Sequence, residues 1–176
     1  ARARPVAMSG LLVHGDELTR YDFGPDHPMS PGRVTHTISL ADQLGVLDRL
    51  KIVPPPPADL DQLQTVHTPD YIAAVRRGEP DLRYGLGTSD NPVFPGMHDI
   101  AAAVAMATTE AARRVWSGEV TRASNISGGL HHAMPSRTSG FCVYNDVAIA
   151  IHWLLDHGCE RVGYVDVDVH PGDGVQ

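Results

Sequence analysis

Residues 165–170 read Val-Asp-Val-Asp-Val-His. In an extended chain, successive side chains face opposite ways, so Asp166, Asp168 and His170 share one face and Val165, Val167 and Val169 the other. Two carboxylates and an imidazole on one side of a buried strand are costly unless their charge is compensated. A divalent cation compensates it, and Asp with His suits zinc. One Asp/His pair of that face can reach a metal comfortably, which leaves the other carboxylate to orient a ligand from outside. A catalytic zinc takes about three protein ligands and keeps a position open for water; the third is not evident in this sequence. The plain alternative is a polar cluster satisfied by backbone donors and helix N-termini.

His131-His132, just after Gly128-Gly129, is the second chemical signal. Neighbours in a regular strand diverge, so both imidazoles can share a pocket only on an irregular loop, and the paired glycines supply one. Imidazoles beside an activated water are natural acid–base catalysts, each needing a carboxylate on its far nitrogen. Asp166 and Asp173 are the available carboxylates. Taken alone, the pair reads equally as solvated loop histidines. Gly140-Phe141 could form an apolar wall or a turn followed by a core aromatic, and Asp90-Asn91-Pro92 a rim carboxylate or a plain turn. Cys142 has no identifiable base and reads as a buried hydrophobe. His98, His152 and His157 read as surface positions, and His27, before Pro28, as structural.

These residues need a scaffold. Residues 161–169 predict a strong strand, residues 122–127 another, and residues 5–14 and 51–53 two more. Apolar residues at 34, 38, 40, 44 and 47 predict a helix over 34–47. Asp59 caps one to residue 67, and Pro69 opens another to about residue 77. The Ala-rich run 99–116 is the clearest helix, and Asn145 or Asp146 caps a last one to residue 157, closed by Gly158. Strand, loop, helix and strand in the second half suggest a βαβ unit, hence a parallel sheet covered on both faces.

At 176 residues the chain has room for about one domain or part of a larger one. With 42% apolar and 20% charged residues it can build a core. A net charge of −7 and no basic face argue against a nucleic-acid partner. No apolar stretch approaches the roughly 20 residues that span a bilayer, which argues against a membrane role. Two cysteines, Cys142 and Cys159, make no disulfide scaffold and fit reduced thiols in a cytoplasm.

Together the motifs resemble the zinc-dependent histone deacetylase superfamily, most closely its bacterial acetoin-utilisation-type branch. The resemblance rests on DHPMSPGR (26–33), VHTPDYI (66–72), YGLGTSDNP (84–92), SGGLHHA (127–133), GFCVYND (140–146) and VDVDVHPGDGVQ (165–176). It implies a three-layer α/β/α fold around a single mainly parallel sheet, related to arginase, with residues 1–176 as the N-terminal part of one deacetylase-like domain. Asp168 and His170 would then ligate Zn2+, with a third ligand, an Asp, and a transition-state tyrosine beyond Gln176. His131 and His132 would be the acid–base pair, Asp166 supporting the first and Asp173 the second. Gly140 and Phe141 would line the acyl-lysine channel, Asp90 would hold the substrate backbone, and Arg33 matches a buried arginine of the inner pocket. Oxygens around Asp166, Asp168 and His170 would help bind a monovalent cation such as K+. Pro171 stands where the family usually has a second His, and Leu130 where a bulkier residue is common; the first should reshape the turn through Gly172, the second the inner pocket.

The expectation is a cytoplasmic zinc amidohydrolase acting on acetyl-lysine in proteins. Its rivals are an acetylpolyamine amidohydrolase of the same superfamily and a non-catalytic acyl-amine binding protein. Residues 1–176 alone are expected to be inactive, to bind zinc weakly and to aggregate.

Overall fold

The computed structural model describes residues 10–176. Three short strands, β1 (Leu11–Val13), β2 (Lys51–Val53) and β3 (Ala123–Ser124), form a parallel sheet in the order β2-β1-β3. Leu11 stands opposite Lys51 on one side and Ala123 on the other. All three β1 residues are buried, as a central strand covered on both faces requires. Of the first expected strand, residues 5–9 lie outside the described residues.

Among the described residues, five α-helices flank the sheet: α1 (Gly32–Gln43), α2 (Leu60–Gln64), α3 (Pro69–Arg77), α4 (Met97–Trp116) and α5 (Asp146–Asp156). Helices lie on both sides of the parallel sheet, so the fold is α/β of the three-layer, arginase and deacetylase-like kind. The ends follow local chemistry. Asp59 accepts the Gln62 N–H, Thr68 the Tyr71 N–H with Pro69 next to it, and Asn145 the Ala148 N–H. Gly78 stops α3 in the left-handed conformation. Alanines at 101, 102, 105 and 107 are fully buried, and α4 packs against α3, α5, β1 and β3 at the centre of the core. Helix α1 forms as expected, but none of its residues is buried. No helix among the described residues is long and apolar enough to cross a membrane.

Two expected strands differ. The one over 122–127 shrinks to Ala123–Ser124, because the Asn125 side chain accepts the Ser127 N–H and bends the chain. Residues 161–169 pair with no strand among the described residues. At their end two carboxylates hold the backbone: Asp166 Oδ1 accepts the Asp168 N–H at 3.0 Å and Asp168 Oδ2 the His170 N–H at 2.8 Å. Val165, Val167 and Val169 are 83%, 95% and 89% exposed.

Candidate active site

The loop that carries the two histidines is set from behind by a residue that sequence reasoning missed. Asn145 takes the cap of α5, which frees Asp146 to turn inward, where it is fully buried. Its carboxylate accepts the Gly129 N–H at 3.0 Å and the Leu130 N–H at 2.7 Å, and the Thr108 hydroxyl donates to it. Burial pushes this carboxyl up, and those three donors draw it back. The only sequence signal was the Asn-Asp pair at a helix start, which does not say which member caps.

On the front of the loop, the imidazoles of His131 and His132 lie with ring centroids 4.2 Å apart. His131 Nδ1 is 2.6 Å from Asp166 Oδ2, and His132 Nδ1 is 2.6 Å from Asp173 Oδ1. An ionised carboxylate only accepts, so Nδ1 carries the proton in each ring and Nε2 is left for chemistry. The two dyads differ. Asp166 also accepts from the Tyr164 hydroxyl and the Asp168 N–H, and these donors, Tyr164 foremost, hold it well below the usual carboxylate range. Asp173 is lowered chiefly by His132.

The segment carrying Asp173 seats under the histidine loop through its glycines. The Gly174 N–H donates to His131 C=O at 2.9 Å, and a Cβ on Gly172 would lie 2.6 Å from Asp166 Oδ2. Pro171 fits the turn, its carbonyl accepting the Asp173 N–H at 2.8 Å.

Asp168 and His170 stand on the same side as Asp166, with Asp168 Oδ2 2.9 Å from His170 Nδ1. The His170 backbone N–H and then its ring lower the Asp168 carboxyl. Asp and His are residue types that zinc takes, and here the two side chains lie together, hydrogen-bonded to each other. Among the described residues no group of three His, Cys, Asp or Glu side chains is placed to hold a metal.

These side chains open on one cavity of about 560 Å³, within the range of small-molecule sites. His131, His132, Asp168 and His170 line it together with Asp90, Gly140, Phe141 and Leu130, which is buried. Gly140 is required: its φ is +50°, and a Cβ would lie 2.5 Å from the His132 ring. Asp90 is exposed at the rim. Arg33 also lines the cavity but is exposed, not buried, because nothing among the described residues packs over it. Cys142 is buried, and burial pushes its thiol up to about 12, which makes it a hydrophobe. His27 is structural: its Nδ1 accepts the Met29 N–H and its Nε2 faces Asp90 C=O. His98 departs from the surface expectation. It is half-buried and bonded to the Tyr144 hydroxyl at 2.9 Å, and burial lowers its pKa.

Two His–Asp dyads and a further Asp/His pair thus meet at one cavity of a parallel α/β fold of the arginase and deacetylase-like kind. The histone deacetylase domain model matches residues 27–176, and the chain belongs to that family. It is 41% identical over 173 residues to the acetoin utilization protein AcuC of Bacillus subtilis strain 168, covering 94% of this chain and 45% of that protein. To the AcuC protein of Staphylococcus xylosus it is 37% identical over 171 residues, covering 93% of this chain and 44% of the relative. The chain therefore spans a little under half the length of these relatives.

Proposed function

We propose that this chain carries the acid–base half of a zinc-dependent amidohydrolase that removes acetyl groups from acetyl-lysine side chains of proteins. In this reading residues 1–176 are the N-terminal part of one deacetylase-like domain in a cytoplasmic protein. The observation behind it is the pair of adjacent imidazoles, each with Nδ1 2.6 Å from its own carboxylate, on the wall of the cavity that Asp168 and His170 also line.

Asp168 and His170 would hold the zinc, which when bound polarises the scissile carbonyl and acidifies a water. His131 takes a proton from the attacking water on Nε2, and Asp166 keeps its ring oriented and stabilises the resulting imidazolium. His132, supported by Asp173, delivers a proton from Nε2 to the leaving amine nitrogen. Gly140 and Phe141 would flank the acyl-lysine chain, and Asp90 at the rim would accept from the substrate backbone. A monovalent cation such as K+ would use the oxygens of the segment around Asp166, Asp168 and His170.

The test is acetate release by the full-length, zinc-loaded protein from an acetyl-lysine peptide and from acetylspermidine, side by side. Turnover of the peptide, lost by about 10²-fold or more in His132→Ala, is expected. Preference for acetylspermidine would make it a polyamine enzyme, and peptide binding without acetate release a non-catalytic binder. Unchanged hydrolysis in His132→Ala would overturn the acid–base assignment.

A further inference from the structure

We propose that Asn91 is a positioning residue for the substrate: its side-chain oxygen holds the Phe141 peptide in a left-handed conformation and so fixes the aromatic wall of the acyl-amine channel. The inference rests on the deacetylase reading of this site. Phe141 has φ +70°, the one non-glycine residue with positive φ among the described residues. A bulky side chain adopts that conformation only where its neighbours over-determine it.

Both backbone groups of Phe141 are held. Its N–H donates to Asn91 Oδ1 at 2.9 Å, and its C=O accepts from the Tyr21 hydroxyl at 2.8 Å. That hydroxyl in turn accepts the Val143 N–H at 3.1 Å. Asn91 is buried and fixed itself, because Thr88 Oγ1 takes its backbone N–H at 3.0 Å and its Nδ2 at 3.3 Å. Nδ2 on Thr88 leaves Oδ1 for Phe141, so the orientation of the amide follows from its partners.

The clamp has a consequence for recognition. The Phe141 ring meets the His27 ring edge-on at 4.6 Å and 81°, and His27 Nε2 donates to Asp90 C=O at 3.2 Å. Consecutive residues thus set both rings of the wall, Asp90 through its carbonyl and Asn91 through its amide. The Asp90 carboxylate meanwhile stays on the exposed rim. Gly140 brings this wall directly over the His132 ring. An apolar wall in that place recognises the methylene chain of a lysine-type amine, so loss of the clamp should weaken binding more than it slows chemistry.

The experiment uses the full-length, zinc-loaded protein with Asn91→Ala, which removes the acceptor, and Asn91→Asp, which keeps one. Asn91→Ala is expected to raise KM and Kd for an acetyl-lysine peptide about tenfold, with kcat within about twofold. Asn91→Asp is expected to return both to within about threefold of wild type. In a Phe141→Gly background, where the left-handed backbone carries no penalty, Asn91→Ala should add nothing. Unchanged KM and Kd in Asn91→Ala, a loss confined to kcat, a folded Asn91→Asp that fails to rescue, or an undiminished Asn91→Ala effect beside Gly at 141 would each overturn the proposal. If the wild-type protein releases no acetate, the deacetylase reading falls, and the peptide Kd values of the same variants decide the role of Asn91 alone.

Discussion

Cys142 shows at the residue scale how burial decides between two chemistries open to one side chain. It follows Phe141 on the channel wall, so a nucleophilic thiol there would compete with the histidines. Burial raises the thiol to about 12, and its sulfur lies 3.2 Å from the Gly140 carbonyl. At pH 8 the thiolate is a negligible fraction of such a group. The native protein is therefore expected to leave Cys142 unlabelled by iodoacetamide over an hour at pH 8, while denatured protein labels it readily. Rapid native labelling at Cys142, located by peptide mass analysis, would show that the wall is open. That Cys142 is a hydrophobe was legible in the sequence from the lack of a nearby base. The Asp146 and Asn91 clamps were not, because the backbone each one holds lies 16 and 50 residues away in the chain.

His67 joins three elements. It lies just before α3, and its Nδ1 donates to Met134 C=O at 3.0 Å while its Nε2 accepts the Asn145 N–H at the cap of α5 at 2.9 Å. Only the neutral ring can do both. Burial lowers its pKa from 6.5 to about 4. Between these values the unfolded chain binds the proton more tightly, so the stabilisation is complete above about pH 6.5 and is lost as pH falls toward about 4. At about 1.4 kcal/mol per pKa unit the window carries roughly 3 kcal/mol, to order of magnitude. Denaturant unfolding of the full-length protein should show this acid limb, and His67→Gln should be less stable at pH 7 and lack it. An identical limb in His67→Gln would assign the acid sensitivity to other groups.

Over the whole molecule, the polar and apolar faces of residues 165–170 meet opposite fates. Asp168 and His170 line the cavity and Asp166 meets His131, while the alternating Val165, Val167 and Val169 stand almost fully in solvent. Next to them an apolar cleft lies between β3 and residues 161–163, lined by Ala111, Val115, Trp116, Val147, Leu154 and Val162. The exposed valines and this cleft together leave apolar side chains open to a second molecule. The 176-residue chain by itself is therefore expected to aggregate at micromolar concentration, to bind zinc well below one equivalent and to release no acetate. The full-length protein is expected to stay monodisperse and active. Light scattering, metal analysis and acetate assay on the two proteins check this. A soluble 176-residue chain with stoichiometric zinc and turnover would contradict the site assignment.

What the sequence by itself determined was whatever is settled within a turn or two of chain. Asp59, Pro69 and the Asn145-Asp146 pair mark helix starts because a cap bonds a backbone group two or three residues away. The alternation over 165–170 puts two carboxylates and an imidazole on one side whether or not a ladder forms. Tertiary structure alone decided the rest. Residues 161–169 have every local mark of a strand, yet a strand exists only where another supplies its hydrogen bonds, and among the described residues none pairs with them. The sequence named Asp166 and Asp173 as candidates for the histidines, but only the fold brought them within 2.6 Å across 35 and 41 residues. His98 left the surface, and Arg33 stayed on it, for the same reason: burial depends on what packs over a side chain, and spacing along the chain does not contain that.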